Sequence, residues 1–224
     1  MKAPNKKAFT VIELLTVIAV IAVIGAILIP IVGRSRDSAN QAKSVANLRQ
    51  IGLAIQSYVN DNGGKYPEAW HYGDKGKPWC RAIEPYVGME SDGTKPNNLF
   101  RCPALEEDQH HGWSDYGYNE NLGVGKPDDR GVSASAANIL EPSKTVLVGD
   151  AANLETGQGA WVYQALQYAR GWQTTNNVPH FRHNGMANFV FLDNHAESLT
   201  QEEVELRREE MFGTDRFYGP GIGF

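Results

Sequence analysis

The stretch KKAFTVIELLTVIAVIAVIGAILIP, residues 6–30, decides the architecture. Two lysines lead into a run in which, from Leu14 to Val32, only Thr16, Gly25 and Pro30 are not plainly apolar. About 20 apolar residues span a hydrocarbon core as a helix. A cleaved secretory signal carries an apolar stretch of about 7–15 residues and then a small-residue cut site, which does not fit this run. A helix buried in a soluble core alternates apolar and polar faces, and this one is apolar all round. It reads as a membrane-resident helix. Glu13 is the anomaly: an intramembrane carboxylate costs at least a few kcal/mol, and such acids are rare and usually paired.

Beyond the apolar run the helical pattern continues. Val45, Leu48, Gly52, Ile55 and Val59 recur at spacings of three and four, one face of an amphipathic helix. NDNGG at 60–64 supplies the stop, with glycines suited to a left-handed cap. If Pro30 only kinks the chain, a single helix runs from about Phe9 to Asn60. After Tyr66-Pro67 the texture turns to glycine, proline and aromatics. WCRAIEPYV (79–87) reads as a short helix, SDYGYNENLG (114–123) as loop, and SKTVLVGD (143–150) as a strand ending at a turn. ANFVFLDNHAESL (187–199) reads as a hairpin with Asp193-Asn194 as a two-residue turn, since both residue types tolerate positive φ. Thr200 followed by Glu203 predicts a capped helix. The expected fold class is α+β: a long N-terminal membrane-spanning helix packed on a small antiparallel sheet.

The 224 residues suit one soluble domain beside that helix. The net charge is −5, and −8 without the three lysines of residues 1–8. Duplex binding needs a basic footprint, so nucleic acid is not the expected partner. Lysines before the helix, against Arg34, Arg36 and Lys43 after it, lean weakly toward a cytoplasmic N-terminus. Cys80 and Cys102 lie in the polar part of the chain, and a disulfide between them suits an oxidising compartment; closing about 22 residues is worth about 3 kcal/mol.

AFTVIELL (8–15) resembles the N-terminal signal of type IV pilins and type II secretion pseudopilins. The resemblance implies a pilin-like fold and a leader, residues 1–8, cut between Ala8 and Phe9 by a prepilin peptidase that also N-methylates Phe9. It implies Glu13 as the assembly residue, four positions after Phe9, and Pro30 also falls where such helices carry a proline. The boundaries that follow are 9–33 for the membrane part, 34–62 for the amphipathic continuation and 63–224 for the head. The family has Gly before the cut; Ala8 adds one methyl, so slower cleavage is expected. The physical reason for Glu13 is that a terminal amine buried in an apolar bundle needs a counter-charge from a neighbouring chain. RHNGMANFVFLDNH (182–195) is similar to the H-X9-DG signature of prepilin-like proteins of planctomycetes, with Asn194 in place of Gly. The CP at 102–103, DYGYN at 115–119 and SKTVLVGD also resemble that group.

The expectation is a structural or assembly subunit of a pilus or secretion pseudopilus, anchored in the cytoplasmic membrane, partnered by other pilin-like subunits, with its head periplasmic or at the cell surface. The alternative is a membrane-tethered binding head for a glycan or cation, with His183, Asp193 and an aromatic loop as its site. For zinc the candidate ligands are Asp150, His180, His183, Asp193 and His195. For calcium, which the likeness to pseudopilins implies, the oxygen-rich stretches are GDAANLETGQ (149–158) and LDNHAES (192–198). Trp70, Tyr72, Trp79, Trp113, Tyr116 and Tyr118 form a candidate glycan surface, although such residues more often fill the core of a small domain. No catalytic motif is visible; Glu106, Glu107, Asp108 and Asp115 read as a solvated acidic loop.

Overall fold

The structure is a computed structural model that describes residues 11–71, 77–88, 98–110, 112–124, 132–153, 162–163 and 177–212. By its contacts the chain divides into Met1–Ala39 and Asn40–Phe224. Helix α1 (Val11–Asp61) is continuous through position 30 and contributes to both units.

In the first unit the large apolar side chains from Val11 to Val32 are 48–81% exposed. This part of α1 is long and apolar enough to cross a membrane. The Thr16 hydroxyl donates to the Glu13 carbonyl at 2.9 Å, so it is satisfied within the helix. Glu13 lies in the first helical turn.

In the second unit α1 buries Leu48, Ile51, Gly52, Ala54, Ile55 and Val59. The predicted stripe holds except that Val45 is only half-buried, and its upper end is polar, formed by the buried Ser44 and Asn47. The helix stops as expected: Gly63 and Gly64 have φ of +64° and +79°, and the Gly64 N–H bonds the Val59 carbonyl at 2.8 Å.

The chain then forms β1 (Trp70–His71), β2 (Lys77–Pro78), α2 (Trp79–Ala82), β3 (Tyr116–Asn119), β4 (Gly123–Val124) and β5 (Val132–Ser133). After these come β6 (Val146–Asn153), β7 (Val162–Tyr163), β8 (Asn177–Pro179), β9 (Met186–Phe191), β10 (Ala196–Thr200) and α3 (Gln201–Phe212). The main sheet has the order β10-β9-β6-β3-β7, and β8 also pairs with β6. Every pairing is antiparallel except β3 with β7.

The sheet is covered on both faces. Val148, Val190 and Leu192 join Leu48, Ile51 and Ile55 of α1 in one core. Val146, Ala187, Phe189 and Phe191 join Val204, Met211 and Phe212 of α3 in the other. This is why MANFVF is a nearly continuous apolar run rather than an alternating one. Helix α3 opens with the predicted reciprocal cap: the Glu203 carboxylate accepts from the Thr200 N–H at 2.8 Å, and the Thr200 hydroxyl accepts from the Glu203 N–H at 3.4 Å. Strand β10 ends the sheet order, and its Glu197 is paired with Arg207 of α3 at 2.6 Å.

Two local expectations are corrected. SDYGYNENLG is not a loop: it contains β3, fully buried beside β6, followed by a 3-10 turn over Glu120–Leu122. Its polar residues are satisfied internally; Asn119 Nδ2 donates to the Val146 carbonyl at 2.9 Å, and Asn121 Nδ2 to the Phe212 carbonyl at 2.7 Å. The β9–β10 turn has three residues, Leu192 to Asn194, closed by Phe191 N–H to His195 O at 3.0 Å, with Asn194 at φ +67°. Three-residue hairpin loops place their last residue in the left-handed region.

Candidate functional site

Asp150, near the C-terminal end of β6, is the organising residue. It is fully buried, and the backbone around it is busy: its carbonyl accepts from the His180 N–H at 3.1 Å. Its carboxylate Oδ2 accepts from the Asn188 N–H of β9 at 2.8 Å. The register of β6 on β9 ends at Gly149 opposite Phe189, so the side chain takes over where the ladder stops.

His183 reaches the same carboxylate from the far side of a tight turn. Asn184 and Gly185 both have positive φ, 52° and 81°, and the His183 and Met186 backbones exchange bonds at 3.0 Å. Asn-Gly is the strongest short signal for such a type I′ turn, and the turn fixes His183 at the root of β9. The third member is Cys102, whose N–H donates to the second buried acid, Asp115, at 2.9 Å. Asp115 also takes Nδ1 of His110 at 2.6 Å and Arg101 at 3.5 Å. The acidic-loop reading is therefore corrected at Asp115, which is buried and anchors the Cys102 loop; Glu106, Glu107 and Asp108 are exposed as expected.

The three side chains converge. His183 Nε2 lies 3.3 Å from Asp150 Oδ2, Cys102 Sγ lies 3.8 Å from the same Nε2, and Cys102 Sγ lies 3.9 Å from Asp150 Oδ1. All three residues are buried, His183 at 3% exposure and the others at 0%. Ser44 of α1 closes the fourth side, its hydroxyl 3.4 Å from Asp150 Oδ1. Burial works against a charged His183, but the Asp150 carboxylate and the Cys102 sulfur outweigh it and hold its pKa at about 9. Burial also raises the Tyr116 hydroxyl, which neighbours this group, well above the ordinary phenol range.

The arrangement is not a nucleophile–base relay. In such a relay the thiol approaches one imidazole nitrogen and the orienting acid the other. Here sulfur and carboxylate both face Nε2, and the thiol has no exposed surface.

The five-residue zinc set divides. Asp150 and His183 meet, with Cys102 added. His180 stays adjacent through its backbone, while its ring Nδ1 is buried without a partner, and burial with the Arg182 charge pulls its pKa down to about 4. Asp193 and His195 sit elsewhere, on the exposed hairpin turn, 2.5 Å apart. The His195 ring stacks on Phe191 and also meets Glu197 at 3.1 Å. Burial opposes its charged form, yet Asp193 and Glu197 raise its pKa. The two signature residues His183 and Asp193 lie at opposite ends of β9; six strand residues span roughly 20 Å, so the single site expected from them does not form.

The expected disulfide is not made. Cys80 and Cys102 are both free and buried. The Cys80 sulfur faces the Trp113 carbonyl at 3.9 Å, whereas Cys102 faces Asp150 and His183. Burial pushes the Cys80 thiol far up. Of the two readings of the aromatic cluster, core holds for three members and the glycan surface does not: Trp79, Tyr116 and Tyr118 are fully buried, with Trp79 stacked on Tyr118 at 5.3 Å and edge-on to Phe100 at 5.8 Å. Trp70 and Trp113 are half-buried, and the Arg81 guanidinium covers the Trp113 ring at 4.9 Å.

Ala8, Phe9, Tyr72 and residues 154–158 of the proposed calcium stretch lie outside the described residues. No family model, curated protein or solved structure matches the chain.

Proposed function

We propose that the protein is a membrane-anchored assembly subunit of the prepilin type, processed between Ala8 and Phe9 and held to like subunits through the first part of α1. The observation that carries the reading is Glu13 in the first turn of a helix whose apolar side chains, from Val11 to Val32, are exposed all round. Lipid satisfies such a surface in a single chain, and packing against copies of the same helix satisfies it in a filament. A carboxylate at that depth suits neither unless it meets a positive charge. An α-amine freed at Phe9 of a neighbouring subunit supplies one, and the charge pair then fixes register while apolar contact supplies the bulk of the association. The head, in this reading, carries no catalysis and decorates the assembly.

The test is the intact mass and N-terminal peptide of protein purified from native membranes. The expected chain begins at N-methylated Phe9. A chain that begins at Met1 overturns the reading and leaves a head tethered by an uncut helix.

A further inference from the structure

We propose that Cys102, Asp150 and His183 form a metal centre in the head for one thiophilic divalent ion, zinc in type, with Ser44 at its fourth side. The distances carry the argument. Hydrogen bonds between nitrogen and oxygen run at about 2.7–3.2 Å. The separations here are 3.3 Å from nitrogen to carboxylate, 3.4 Å from hydroxyl to carboxylate, and 3.8 and 3.9 Å from sulfur to its two neighbours. The first two exceed that range, and the two sulfur separations are at the long end for that larger atom. They match ligands sharing one ion: tetrahedral bonds of about 2.0–2.3 Å set neighbouring ligand atoms about 3.3–3.8 Å apart. The two Asp150 distances run to different carboxylate oxygens, and with one ligand atom taken from each residue all three lie within 4.8 Å of one another.

Chemistry selects the ion. Thiolate with imidazole favours zinc and its neighbours over calcium or magnesium, which take oxygen shells. The ligands are also held independently of one another, as a prebuilt site requires. Cys102 is fixed by its N–H on Asp115, His183 by the Asn184-Gly185 turn, and Asp150 by the Asn188 N–H on Oδ2. They come from three segments, 48 and 81 positions from Cys102, so an ion there ties the loop before β3 to β6 and to the root of β9. On binding, the Cys102 thiol and the imidazolium each give up a proton to solvent, and the metal takes their lone pairs.

The experiment uses the full chain in detergent, stripped by chelator and titrated with cobalt(II) as a spectroscopic stand-in. One equivalent per chain is expected, with a thiolate-to-cobalt charge-transfer band and tetrahedral d–d absorption. Zinc added afterwards should abolish the cobalt spectrum stoichiometrically. Cys80→Ala, which leaves Cys102 as the sole cysteine, should keep the band, and His195→Asn should leave it unchanged. Cys102→Ala should remove the band and weaken zinc retention at least tenfold. Should that variant fail to fold, the Cys80→Ala spectrum alone decides the ligand. A wild-type chain with no thiolate band, or one whose band is lost in Cys80→Ala, overturns the proposal and leaves a purely hydrogen-bonded cluster.

Discussion

Gly52 of α1 and Asn194 of the β9–β10 turn are packed so closely that a Cβ on Gly52 would lie 2.2 Å from Asn194 Oδ1, with Val190 Cγ1 at 3.0 Å. The hairpin tip therefore rests on a helix position where no side chain fits. Asn194 Oδ1 is buried there without a hydrogen-bond partner.

Gly52→Ala sets helix propensity against packing. Alanine favours the helix by up to about 1 kcal/mol, while overpacking costs about 1–3 kcal/mol, and the close approach to both Asn194 and Val190 decides for the second. The expected result is a net loss of about 1–2 kcal/mol in chemical denaturation. Asn194→Gly removes the colliding oxygen and keeps the positive φ, so the double variant should recover most of that loss. Additive losses in the two variants would show that the contact is not the cause.

Glu13→Gln keeps the shape of the first turn and deletes its charge. If the carboxylate neutralises a neighbour's amine, self-crosslinking through photoreactive groups between Leu14 and Val32 should fall at least tenfold, while membrane retention stays intact. Unchanged crosslinking would remove the charge pair from the assembly argument.

The cysteines should titrate as two thiols. After denaturation without reductant, alkylation is expected to add two labels per chain, and the same number with reductant present. In the native chain neither is expected to react, since both sulfurs are buried. A label count that rises on reduction would restore the disulfide.

Glu120, partly buried beside β3, has its pKa raised by burial to about 7. The proton is held more tightly folded than unfolded, so the contribution of this residue to stability is full below its unfolded pKa of about 4.3 and is lost as pH rises through 7. The shift is worth at most about 4 kcal/mol, and partial solvent access reduces it to ~1–2 kcal/mol. Glu120→Gln should flatten the stability profile between pH 5 and pH 8 and be the more stable chain at pH 8. Parallel profiles for the two chains would refute the assignment.

Much of the fold was legible because its signals are local. The apolar run, the stripe from Leu48 to Val59, the glycine stop and the Thr200–Glu203 cap each act within a few residues. Strand β3 was not legible, because Asn119 and Asn121 look like loop residues until their distant partners Val146 and Phe212 are known. The site was half legible. Asp150 and His183 were marked by type, but Cys102 was assigned to Cys80 by compartment logic. Asp193 was drawn in by spacing to His183, although a strand of that length carries the two apart.

Strand β10 has a consequence for crowding. The outermost strand of a sheet is a template on which a second chain can add, the usual start of aggregation. Here that strand is only five residues long, it carries Glu197 held by Arg207 and His195, and at the other end of the sheet β7 has only two residues. Among the described residues both margins are blunted. Heads brought to high local concentration can thus sit side by side without zipping into a common sheet.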